Sequence, residues 1–143
     1  MIGEDTAGAL LAVLDDERDQ IDDLHYHVVA LHRLVEAGDL ELLDRANAEV
    51  ALALDRIRET ELLRGVLVAA LLHEHGREDL VGTLADVLAV VADGDRPHLI
   101  EVTDHLARRT EEIERLAART NRRADVAADE LEDWGAVLGA PSP

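Results

Sequence analysis

Up to Ala37 the apolar and polar positions of the chain settle into a single register. Leu10, Leu14, Ile21, Leu24, Val28, Leu31 and Val35 succeed one another in steps of four and three, or their sum, with Glu17 as the one polar residue on the seam. Steps of four and three keep side chains on one stripe of a helix, so the pattern predicts a helix from an N-cap at Asp5 or Thr6 to Ala37. Gly38 supplies its stop. A stripe of this kind needs a partner helix, and Glu17 is expected at an exposed bundle end, with a buried switch or partner contact as the alternative.

Asp39 directly follows Gly38 and is placed to cap a second helix folding back antiparallel on the first. Leu43, Ala46, Val50, Ala53 and Ile57 carry its seam until Arg58 to Glu61, where heptad spacing lapses. Beyond it LLRGVLVAALL is apolar nearly all round, which predicts burial by more than one neighbour. Gly76 ends this helix. Leu80, Leu84, Val87 and Val91 then predict a shorter amphipathic helix, and Asp95 is placed to cap a last helix from about Pro97 to Trp134. Leu99, Val102, Leu106, Ile113 and Leu116 form its first stripe, interrupted by Arg109; Ala124, Ala127, Leu131 and Trp134 form a second, after a shift of register at Thr120 to Ala124.

The predicted fold class is therefore all-α: an elongated antiparallel helical hairpin completed by a short helix and a long C-terminal helix, in a coiled-coil-like bundle. A chain of 143 residues is the size of one domain, taken as 1–137, with 138–143 as a flexible tail punctuated by Gly and Pro. Tyr26 and Trp134 are the only aromatic residues other than histidine, so Leu, Val, Ile and Ala must build the core, as helix packing prefers.

Charge narrows the partners. A formal net charge of −18 disfavours phosphate backbones and anionic membrane surfaces, leaving no nucleic acid and no membrane insertion expected. The basic side chains other than histidine are all Arg, and Arg108, Arg109, Arg115, Arg119, Arg122 and Arg123 crowd one segment interleaved with Glu111, Glu112 and Glu114. That interleaving predicts a salt-bridged solvated face in preference to an anion site. The absence of Cys and of a basic, apolar leader places the protein in the cytoplasm, and the apolar run from Gly65 to Leu72 is too short to span a bilayer.

Little chemistry survives the inventory. Ser142 is the only serine, there is no Lys or Cys, and no Gly-rich loop follows a strand, so nucleophilic catalysis and phosphate cradles are not expected and the chain reads as a non-enzyme without a cofactor. The segment LHYHVVALHRLVE invites a metal reading. His25 with His27, and His73 with His75, are two apart and point to different sides of a helix. The pairs that could share an ion are His32 with Glu36 and Glu101 with His105, as in hemerythrin-like bundles, with His98 as a further candidate. The heptad register instead sets His25 and His32 at the shoulder of the seam, where a half-buried ring with one wet edge is ordinary, and this is the preferred reading. A homo-oligomeric coiled-coil scaffold is a third alternative.

The long acidic hairpin with AGDLELLDRANAEVALALDRIRETELLRG across its turn resembles the FlgN-type flagellar export chaperones, over most of the chain. The resemblance rests on Glu17 and Arg18 in the first helix, the Gly turn, Ile57, Arg58, Glu61 and Leu62 in the second, and Asn121 in a polar break of the last. It implies a cytoplasmic chaperone that binds the amphipathic C-terminal helices of hook–filament junction proteins, blocks their premature assembly and delivers them to the type III export machinery. Helix-in-groove recognition of this kind needs spare apolar surface and no active site. The expected contact surface is the last helix, with Ile113, Leu116, Ala124, Ala127, Leu131 and Trp134 as apolar contacts and Arg119 and Arg123 as rim charges. Ile113 and Leu116 are equally suited to closing the protein's own core.

Overall fold

The computed structural model describes residues 2–79 and 82–127. Within them the chain is all-α: α1 (Ile2–Ala37), a 3-10 turn (Leu40–Leu42), α2 (Leu43–Glu74), the single turn α3 (Leu84–Val87) and α4 (Arg96–Ala127), with no strand among the described residues. α1, α2 and α4 pack against one another as a helical bundle through the stripes their sequences carry. Every seam residue expected of α1 is buried, from Leu10 to Val35, as are Leu43, Ala46, Val50, Ala53 and Ile57 of α2 and Leu99, Val102, Leu106, Ile113 and Leu116 of α4.

Both long connections end on the same device. Gly38 and Gly76 adopt φ of +68° and +66°, the left-handed region that costs a glycine nothing. At each, the amide after the glycine bonds the carbonyl five residues back (Asp39 N to Leu34 O, 3.1 Å; Arg77 N to Leu72 O, 2.8 Å), and the glycine amide bonds the carbonyl three before it. These are Schellman closures that satisfy the last carbonyls of α1 and α2.

Three local expectations are corrected. Helix α1 is already helical at Ile2, and the Thr6 hydroxyl does not cap it but donates to Glu74 at 2.8 Å. Asp39 makes no side-chain cap, because a 3-10 turn intervenes before α2 begins at Leu43. The third helix shrinks to one turn started by a capping box, in which Thr83 accepts from the Asp86 amide (3.2 Å) and Asp86 accepts from the Thr83 amide (3.2 Å). Val87 and Val91 are nonetheless buried as that amphipathic segment required, while Leu80 lies outside the described residues.

The helices divide between two compact units, one of residues 1–19 with 58–107 and one of 20–57 with 108–143. In the first, the apolar run of α2 departs from expectation. Val68, Leu71 and Leu72 are buried, but Leu62, Leu63 and Val66 are 74%, 49% and 66% exposed. A run apolar on all sides is here covered on one side only, leaving a bare stripe.

Candidate functional site

In the unit of residues 20–57 and 108–143, α1 and α4 flank an open groove of about 720 Å³. His25, Val29, His32 and Arg33 line it from α1, and Glu112, Arg115, Leu116, Ala118, Arg119 and Arg122 from α4. The α1 residues recur at four, three and one, and the α4 arginines at four and three, so each set occupies one helix face. A smaller recess of about 330 Å³ shares His32, Arg119 and Arg122 and adds Glu36.

The polar side chains of this groove are positioned by a short chain of bonds. Thr120 is fully buried, and its hydroxyl donates to the Leu116 carbonyl one turn back at 2.8 Å. With that proton committed, Thr120 Oγ1 accepts from His32 Nδ1 at 2.7 Å, which fixes the ring and turns Nε2 toward Glu36. Arg109, the residue that interrupts the apolar stripe of α4, donates from Nε to Asp22 at 2.9 Å and from a terminal nitrogen to Glu112 at 2.8 Å. The Arg109 hydrogen bond holds the Glu112 carboxyl below the ordinary carboxylate range, aided by the charges of Arg109, His25 and Arg115 and opposed by partial desolvation. The same hydrogen bonds, to Asp22 first and Glu112 second, raise Arg109 above its usual value.

The histidines take the shoulder positions expected of them. His25 and His32 are partly shielded, with side chains 26% and 13% exposed; His25 stands 3.5 Å from Glu112, and His27 stands 3.5 Å from both Asp23 and Glu49. No three His, Asp or Glu side chains among the described residues converge on a point that could hold a metal. His32 and Glu36 do meet, but Glu101 is taken by Arg18 at 3.2 Å and His98 by Asp15 at 2.8 Å, and no third ligand joins the His32–Glu36 pair among the described residues.

The expected binding residues divide. Ile113 and Leu116 are 5% and 7% exposed and close the core of their own unit, Leu116 also reaching the groove. Arg119 is exposed and lines the groove. Arg123, Ala124 and Ala127 lie on α4, which places their backbone only, and Leu131 and Trp134 lie outside the described residues. Asn121 sits one residue beyond Thr120, with its Oδ1 buried and unbonded among the described residues.

The salt-bridged face expected of the arginine cluster forms only in part. Arg109 is paired with Asp22 and Glu112, whereas no carboxylate among the described residues lies at ion-pair distance from Arg115, Arg119 or Arg122, although Glu112 lines the same groove and feels the charge of Arg115.

In the other unit, Glu17 is 4% exposed, not at an open end, and accepts a bond from Arg64 at 2.5 Å. Its second oxygen has no partner among the described residues, and burial pushes its carboxyl above the ordinary range despite the opposing charge and hydrogen bond of Arg64. Pattern reading marked Glu17 as anomalous but could not name Arg64 as its partner. No helix among the described residues is long and apolar enough to cross a membrane. Compared with known proteins, the chain matches no protein-family model, no curated protein and no solved structure.

Proposed function

We propose that the protein is a non-catalytic, helix-binding chaperone of the FlgN type, acting in the cytoplasm on the amphipathic C-terminal helices of hook–filament junction proteins and passing them to the flagellar export machinery. The observation that carries this reading is the bare stripe on α2, where Leu62, Leu63 and Val66 stand exposed within about one turn of a helix otherwise built into a bundle. Large apolar side chains grouped on a surface mark a place where another apolar face is accommodated. An amphipathic helix laid along α2 would bury them by the same spacing of three and four that builds the bundle. The reading moves the apolar contacts away from Ile113 and Leu116, which the core already uses.

Hydrogen exchange of the full chain with and without the C-terminal helical segment of a hook–filament junction protein tests it. Slowed exchange over residues 58–74 in the presence of the segment supports the assignment, and unchanged exchange there at saturating segment opposes it.

A further inference from the structure

We propose that the groove between α1 and α4 is a docking site for an acidic amphipathic helix of a partner protein, recognised by Arg115, Arg119 and Arg122 along one edge and by Arg33 along the other. This inference does not rest on the chaperone reading, which uses a different surface.

The first observation is one of unpaired charge. In a chain of net charge −18, carboxylates are abundant, and Arg18, Arg45, Arg64, Arg77 and Arg109 each have one at ion-pair distance. Arg33, Arg115, Arg119 and Arg122 have none among the described residues, and all four line the same groove. Of the carboxylates that border it, Glu112 is held by Arg109, and Glu36 stands against the His32 ring. A concentration of free guanidinium groups on an otherwise acidic protein is a complementary surface for anions.

The second observation is spacing. Arg115, Arg119 and Arg122 are four and three apart, so they form a straight stripe of about 10 Å at 1.5 Å rise per residue. A convergent cradle for a small anion would bring guanidinium groups to one point. A stripe instead matches carboxylates repeated at four and three along a second helix, the arrangement by which flanking charges choose partners in helix pairing. The lining also includes Val29, Leu116 and Ala118, apolar surface that a phosphate would not use and the adjoining face of an amphipathic helix would.

A partner helix is favoured over a second copy by the charge of the chain itself. Docking two copies brings two bodies of net charge −18 together, whereas a single acidic helix adds a few carboxylates directly opposite the arginines.

The test titrates the full-length protein with a fluorescent synthetic helix of about 20 residues, carrying Glu at steps of four and three beside a stripe of Leu and Ala, and with the same helix carrying Gln in place of Glu. The Glu helix is expected to bind saturably, more weakly at high salt, and the Gln helix about tenfold more weakly or worse. Arg115→Glu combined with Arg119→Glu, both on exposed side chains, should abolish preference for the Glu helix and create binding to a Lys version, a gain that loss of structure would not give. Leu62→Glu should leave Glu-helix binding unchanged. Equal binding of the Glu and Gln helices overturns the proposal. Displacement of the Glu helix by inorganic phosphate overturns it in favour of a small-anion site, and a wild-type dimer dissociated by Arg119→Glu overturns it in favour of a second copy.

Discussion

Glu17 and Arg64 meet at 2.5 Å between α1 and α2, a carboxylate on the apolar seam held by a guanidinium that remains 28% exposed. Desolvation outweighs the attraction of Arg64, so the Glu17 carboxyl titrates higher in the folded protein than in the unfolded chain. A group whose folded value is raised contributes most stability below its unfolded value and loses it as pH rises through the folded one. Ionised Glu17 is therefore a cost at neutral pH. Glu17→Gln is expected to stabilise the protein by about 1 kcal/mol at pH 7, the gain shrinking as pH falls through the carboxylate range. Arg64→Met, which strands the buried carboxylate, should destabilise by about 2 kcal/mol at pH 7 and less in acid. Urea unfolding of the three proteins across pH distinguishes these signs.

The bond from His32 to buried Thr120 links α1 to α4. Thr120→Val keeps the shape and removes both hydrogen bonds, leaving the His32 Nδ1 proton without an acceptor in a side chain only 13% exposed. A loss of about 1 to 2 kcal/mol is expected, with Thr120→Ser losing less because it retains both bonds. Equilibrium denaturation of the two variants checks the order; equal losses would show that the methyl, not the hydroxyl, matters.

Arg109 replaces an apolar residue on the α4 stripe and bonds both Asp22 and Glu112. Arg109→Gln should move the Glu112 titration up toward the ordinary carboxylate range, since the Arg109 hydrogen bond is the leading cause of its depression. Glu112 contributes stability above its unfolded value and loses it as pH falls through the lower folded one, so the variant should lose that acid-limb contribution. Carboxyl carbon shifts followed by NMR through a pH titration report this directly.

How much of this was legible in the sequence depends on what each residue interacts with. The seams of α1, α2 and α4 were, because burial along a helix repeats at the spacing of the sequence itself; Leu10 to Val35 and Leu43 to Ile57 all lie in the core. The glycine stops at Gly38 and Gly76 were, because a positive φ has a residue preference. Leu62, Leu63 and Val66 were not, since apolarity on every side of a helix says that burial is favourable and not that a neighbour is present. Glu17 was misplaced because its partner lies 47 residues away. Arg119 was expected as a rim charge, but the interleaved Glu residues suggested pairing that, of the arginines lining or bordering the groove, only Arg109 makes among the described residues.

The proposed chaperone role requires an amphipathic helix to lie along the bare stripe of α2. Calorimetric titration of the protein with the C-terminal helical segment of a hook–filament junction protein, repeated at several temperatures, tests it most directly. A saturable complex with a negative heat-capacity change is expected, weakened about tenfold or more by Leu62→Glu with Val66→Glu. No heat at any temperature, or binding that this double substitution leaves unchanged, would contradict it.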